Sequence, residues 1–171
     1  MKLQIGCSEI NGIYREKEWI NIDIRKHKYM EIQGSGLELP LKTNTFDEVR
    51  CIHVLEHLTR DKYPRMIQEM HRVLKPGGVV YVEVPDFKGT IDQLVHAFNV
   101  QDPGLIHVWT TSLYGKSERD GMSHHWGFYE GLLRREIRRY GFNDVVRLTI
   151  KDEMISTHFK KEPILLIRGV K

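Results

Sequence analysis

Three groups of residues carry chemistry in their types and spacing. Gly6 closes a short run that starts at Lys2, and Asp23, near the end of the run Trp19 to Ile24, follows seventeen positions later. A glycine beyond a first strand lets a ligand approach the backbone, and an acid at the tip of a second strand can accept hydrogen bonds from both ribose hydroxyls of a nucleoside. Taken alone, Asp23 reads equally well as a turn or capping residue; paired with Gly6 it points to a ligand. The second group is His107, Trp109, Tyr114, His124, His125 and Trp126, all within residues 101–127, a stretch without clean periodicity. Aromatics and imidazoles on a long irregular segment suggest substrate contact, whereas tryptophans that plug the core are the plainer reading. The third is His53-Val54-Leu55-Glu56-His57, which spells H-x-x-E-H, an inverted zinc-protease order. That motif needs a helix to put both imidazoles on one face. Here the first His ends a β-rich run, so a zinc hydrolase is disfavoured and no metal site is expected.

The elements that must position these residues are organised around Phe46 to Pro85. An apolar run (Val49, Ile52, Val54, Leu55) ends at Glu56 and His57, and a helical pattern begins near Arg60. Tyr63, Met66, Ile67, Met70, Val73 and Leu74 recur at three- and four-residue intervals, so they share one helix face. Pro64 falls in the first turn, where its missing N–H costs little, and Pro76-Gly77-Gly78 stop the helix. Val79 to Val84 is β-rich without strict alternation, as for a strand covered on both faces. The unit is βαβ, which implies a parallel sheet with a right-handed crossover.

Around it, Lys2 to Gly6, Trp19 to Ile24 and Tyr29 to Gln33 read as strands, with a short or irregular helix in Glu9 to Glu18. Thr90 to Asn99 reads as a helix capped by Thr90, and Phe128 to Tyr140 as a helix stopped by Gly141. Phe142 to Ile150 and Pro163 to Val170 read as a closing hairpin. No G-x-G-x-x-G loop is present, which argues against a nicotinamide or flavin dinucleotide.

The totals suit one α/β domain over residues 1–171, with residues 101–127 as an irregular lid or substrate segment. Hydrophobic content of 40% and charged content of 29% describe an ordinary globular chain. No apolar run approaches the ~20 residues of a membrane span. The start, MKLQIGCSEI, has neither the apolar core nor the cleavage site of a signal peptide, so a cytoplasmic location is expected. Cys7 and Cys51 read as reduced residues at strands. The net charge of +3, with one basic stripe (Arg134, Arg135, Arg138, Arg139) on a single helix, argues against nucleic acid as a partner.

In this order, LQIGCS, NIDI, LPLKTNTFDEVRCIHVLEHL, RVLKPGGVVYVEVPD and HHWGFYEGLLRREIRRYGF resemble the class I S-adenosylmethionine-dependent methyltransferases, in particular small type 11-like members that start at the first strand. The resemblance implies a Rossmann-like, doubly wound, mostly parallel seven-stranded sheet with its last strand antiparallel. It implies S-adenosylmethionine as cofactor and S-adenosylhomocysteine as product. Carried over position by position, Gly6, Cys7 and Ser8 approach the methionine part, Asp23 holds the ribose, and Ile24 and Leu37 flank the adenine. His53 and Val54 lie near the sulfonium, with His57 supporting that turn. Ser8 stands where the family has its second Gly, and Ser35 or Gly36 where an acid often meets the adenine amine.

Methyl transfer displaces a leaving group at an already activated carbon, so alignment and exclusion of water matter most. A hydroxyl acceptor would gain from a base, and the candidates are His125, His124 and His107, with Asp86 behind them. Trp109, Tyr114 and Trp126 could stack on a sugar or another ring. A small metabolite, a saccharide or a protein side chain remain open as acceptor. The rival reading is a methyltransferase fold without cofactor binding that serves as a partner subunit; lid duty falls to Leu105 to Gly127 or to a partner subunit, and a homo-oligomer stays open.

Overall fold

The computed structural model describes residues 1–6, 18–116, 121–149 and 163–171. Its centre is the expected βαβ unit: β4 (Phe46–Ile52), a single 3-10 turn (Leu55–His57), α1 (Tyr63–Val73) and β5 (Leu74–Pro85). Tyr63, Met66, Ile67, Met70 and Val73 are buried on one side of α1, as their spacing requires. The helix stops because Leu74 turns extended and pairs at once with Phe46. The register then shifts between Phe46 and Glu48, so Lys75 to Gly78 bulge out of the ladder before β5 resumes at Val79 opposite Glu48.

The other strands are β1 (Lys2–Ile5), β2 (Trp19–Asp23), β3 (Ile32–Gln33), β6 (Asn143–Leu148) and β7 (Ile164–Val170). Among the described residues they form one sheet in the order β3-β2-β1-β4-β5-β7-β6. β1 to β5 are mutually parallel, and β7 is antiparallel to both β5 and β6. The last strand thus slots between β5 and β6, and the expected closing hairpin forms the sheet's end. Strand order reverses between β1 and β4, the switch point at which open α/β sheets bind ligands beyond their carboxyl ends.

Alternation along the strands splits the core. Cys51, Leu165 and Ile167 join the main cluster with α1 and α4 (Glu130–Arg139), while their neighbours Ile52 and Leu166 form a smaller one with Tyr81 and Leu148. Phe46, Phe128, Leu133 and Ile137 are fully or almost fully buried. Burial of that kind contributes about 1.5–3 kcal/mol per large side chain. No helix of the described residues is long and apolar enough to cross a membrane.

Four local expectations are corrected. The third strand shrinks to Ile32–Gln33, because the Glu31 side chain accepts a hydrogen bond from the Asn21 N–H (2.7 Å) while its own N–H bonds Asn21 O (2.9 Å). α2 spans Phe87–Asn99 and is capped by Asp86, whose carboxylate accepts from the Gly89 N–H at 3.3 Å; Thr90 lies inside the helix. α4 begins at Glu130, since Phe128 is spent on the core, edge-on to Tyr63 at 5.1 Å. Residues 101–127 are not irregular throughout: Pro103–Tyr114 is α3, with Pro103 in its first turn and Asp102 capping Leu105 N at 3.0 Å. Its apolar residues lack the one-sided spacing of α1, which is why periodicity did not reveal it. The helix expected within Glu9 to Glu18 lies outside the described residues.

Candidate functional site at the carboxyl edge of the sheet

The site is built where β1, β2 and β4 end side by side. Gly6 has φ +73°, and a Cβ there would lie 2.1 Å from Val54 Cγ2. Only glycine fits, both for its left-handed backbone and for the close approach of the chain leaving β4. Asp23, 6% exposed at the end of β2, accepts from the Arg25 N–H at 2.8 Å and faces His27 Nε2 at 3.6 Å. These contacts set the direction of its carboxylate. Ile24, next to it, is 68% exposed, an aliphatic surface left to solvent beside a buried acid. Leu37 is half-buried against the core, its N–H bonded to Ser35 Oγ at 3.2 Å. Cys7 and Ser8 lie outside the described residues.

A nucleoside ligand fits this edge on three counts. The backbone at Gly6 admits close approach, a fixed carboxylate at the end of β2 can accept from paired hydroxyls, and an exposed apolar side chain adjoins it.

At the end of β4 the chain turns sharply. His53 has φ +52°, an uncommon conformation for a residue with a side chain. Its ring is held between two buried carboxylates: Nδ1 lies 3.0 Å from Glu56 Oε1 and Nε2 3.1 Å from Glu83 Oε1. Burial by itself would lower the His53 pKa, but hydrogen bonding to Glu56 and Glu83 outweighs it and raises the value to about 10. For Glu56, burial pushes the pKa up and the His53 partner pulls it down further, leaving it below the usual carboxylate range. The imidazole is therefore committed to this triad, and with His57 in a one-turn 3-10 segment the H-x-x-E-H residues do not share a helix face.

The stretch 121–127 returns across the same edge. Gly115 bridges Ser123, Arg25 Nη2 donates to Met122 Sδ at 3.4 Å, and the N–H groups of His125 and Trp126 bond Glu56 O at 2.7 and 3.2 Å. His57 Nδ1 contacts Ser123 O at 3.0 Å, and His124 Nδ1 contacts Ser112 O at 2.9 Å. The two rings lie 5.0 Å apart. A narrow cavity next to them is lined by Glu56, Phe87, Thr90, Ser112, His124 and Trp126, among others. Burial holds the His124 pKa below the ordinary imidazole value.

The remaining sequence candidates separate. His107 and His125 are exposed. Asp86 caps α2 and pairs with Arg147 Nη2 at 3.3 Å. Trp109 is buried in α3, and Tyr114 is 69% exposed. Trp126 lines the cavity, stacks on Tyr63 (6.4 Å between centroids) and carries Arg60 over its ring. Sequence reasoning overlooked Glu83, Thr90 and Ser112. The signal for Glu83 was a lone acid inside the run VVYVEV; nothing local marks the two hydroxyls.

Comparison with known proteins agrees with this geometry. Residues 3–82 match a family model described as "Methyltransferase domain". An uncharacterized protein of Methanocaldococcus jannaschii is 38% identical over 76 residues, covering 44% of this chain and 32% of that protein. Demethylmenaquinone methyltransferase of Lysinibacillus sphaericus is 33% identical over 76 residues, covering 42% and 32% respectively. The alignments thus span about a third of the length of these curated relatives. A crystal structure of a SAM-dependent methyltransferase from Archaeoglobus fulgidus superposes with a TM-score of 0.68 at 17% identity, covering 99% of this chain and 85% of that one. The architecture is therefore the Rossmann-like class I methyltransferase fold. The family match is confined to residues 3–82, and over the rest of the chain the likeness is one of fold.

Proposed function

We propose that the protein is an enzyme that moves a methyl group from S-adenosylmethionine to a small-molecule acceptor, saccharides included, with S-adenosylhomocysteine as product. The observation that carries this reading is the juxtaposition of Gly6, Asp23 and exposed Ile24 at the β1/β4 switch point. In it, Gly6 admits the amino-acid portion to the backbone, Asp23 accepts from the ribose hydroxyls, and Ile24 and Leu37 flank the base. His53 and Val54 border the reacting end. The cofactor supplies a methyl group already activated by a cationic sulfur.

What the chain contributes is alignment and exclusion of water. Segment 121–127, tied to Arg25, Glu56 and His57, is suited to cover the reacting end. The acceptor would enter the cavity beside Phe87 and Trp126, where ring stacking is available. Of the base candidates, His124 is the one whose ring lines that cavity.

Calorimetry with S-adenosylmethionine and S-adenosylhomocysteine tests this. Micromolar binding is expected, weakened at least tenfold, or about 1.4 kcal/mol, by Asp23→Ala. Asp23→Asn, which keeps the shape, should lie between the two, with thermal melts showing that both variants fold. No binding at millimolar cofactor would overturn the reading and leave a partner subunit that has lost its cofactor.

A further inference from the structure

Glu56, His57 and His124 meet although His124 is remote from the other two in sequence. One ligand-type atom from each lies within 4.8 Å of the others. A carbonyl oxygen can only accept, so the contacts of His57 Nδ1 with Ser123 O and of His124 Nδ1 with Ser112 O require a proton on each Nδ1. Each neutral ring then presents Nε2 as a lone pair. Backbone carbonyls that fix a histidine tautomer in this way are the usual outer support of metal-binding imidazoles.

A second observation points to a missing ligand. Glu56 is 2% exposed, and while its Oε1 pairs with His53, its Oε2 is buried without a hydrogen-bond partner. If Glu56 served only to hold His53, one oxygen would explain it and the other would remain a desolvated acceptor at a net cost to the fold. The hydroxyls of Ser112 and Thr90, on the same cavity, are also buried without partners.

We propose that Glu56, His57 and His124 bind one divalent transition-metal ion of the zinc class, with an open coordination position toward the cavity beside Ser112 and Thr90. Two imidazoles and one carboxylate are a donor set for such borderline ions, whereas magnesium and calcium take mainly oxygen. A tetrahedral ion with bonds near 2.1 Å holds its ligands about 3.4 Å apart, so small side-chain rotations close the site. The open position takes water or an oxygen of a bound molecule. With the ion bound, His124 Nε2 is taken up as a ligand, so this site replaces the base role of His124, while cofactor binding at Gly6 and Asp23 does not depend on it.

The test uses the full chain, untagged and stripped with a chelator, then titrated with Zn2+ and with Co2+. One ion per chain at micromolar affinity or tighter is expected, with Co2+ giving the visible absorption of a low-coordinate nitrogen and oxygen site. His57→Ala and His124→Ala should each weaken Zn2+ binding at least tenfold, while His96→Ala, an exposed histidine on α2, should leave it unchanged. Should an alanine variant fail to fold, His124→Asn and Glu56→Gln take its place with the same expectation. Substoichiometric binding, equal affinity in the ligand variants, or stoichiometric Mg2+ binding without Zn2+ would overturn the proposal. Because the readout is metal binding alone, its failure would leave the cofactor reading untouched, and loss of the cofactor reading would leave this one standing.

Discussion

Replacing Gly6 by alanine tests the geometry on which the cofactor edge rests. At φ +73° a residue with a Cβ costs about 1–2 kcal/mol on backbone grounds. The new methyl would also sit 2.1 Å from Val54 Cγ2, where it cannot stay. Forcing such overlap in packed surroundings adds about 1–3 kcal/mol. The sum, about 2–5 kcal/mol, is a large part of the roughly 5–15 kcal/mol that holds an ordinary domain together. With a urea slope of about 2 kcal/mol/M, the unfolding midpoint should fall by about 1–2.5 M. The two contributions can be separated with Val54→Ala, because trimming Val54 removes the collision but leaves the backbone cost. The double variant should therefore recover about 1–3 kcal/mol relative to the sum of the singles. A Gly6→Ala loss below about 0.5 kcal/mol, or strict additivity with Val54→Ala, would show that the turn differs from the one described.

Three further predictions concern the supports around α1. Glu69, 2% exposed, accepts from Arg72 Nε (2.8 Å) and Nη2 (2.7 Å) and from the Leu39 N–H (2.8 Å), which ties the loop after β3 to the helix. Glu69→Ala should cost about 2–4 kcal/mol, read from denaturant melts: about 1–3 kcal/mol for the stranded Leu39 N–H and about 1 kcal/mol for the solvent-screened Arg72 pair. The Arg72 hydrogen bond leads in holding the Glu69 carboxyl below its usual range, so its contribution is complete above the unfolded value and is lost as pH falls through the folded one. Glu69→Gln should flatten that acid limb of stability; an unchanged limb would refute the assignment. His71 packs edge-on to Phe142 at 5.0 Å beneath Gly141, and burial, then the Lys171 charge, lower its pKa. The unfolded chain binds the proton more readily, so stability should be full above the ordinary imidazole value and fall as pH drops toward the folded one. Stability of His71→Leu should lose this dependence between roughly pH 5 and 7, and persistence of the slope would place its origin elsewhere.

Much of the fold was legible because its signals are local. The spacing of Tyr63, Met66, Ile67 and Met70 defines a helix face, and the Gly6 and Asp23 positions mark two strand ends, whatever the rest of the chain does. The strand expected from Tyr29 shrank, and the α2 cap moved from Thr90 to Asp86, because hydrogen-bond partners from neighbouring segments decided those ends. α3 escaped notice since its apolar residues do not form a stripe.

The site divides along the same line. That Glu56 and His57 adjoin is written in the chain, but that His53 is consumed by Glu56 and Glu83 depends on β4 lying beside β5. That His124 joins Glu56 and His57, with Ser112 fixing its ring, depends on segment 121–127 folding back across the sheet edge. Sequence periodicity reports which way a side chain points relative to its own element. Convergence of residues from β4, α3 and the return segment is set by strand order and by long-range hydrogen bonds, which leave no periodic trace in the sequence.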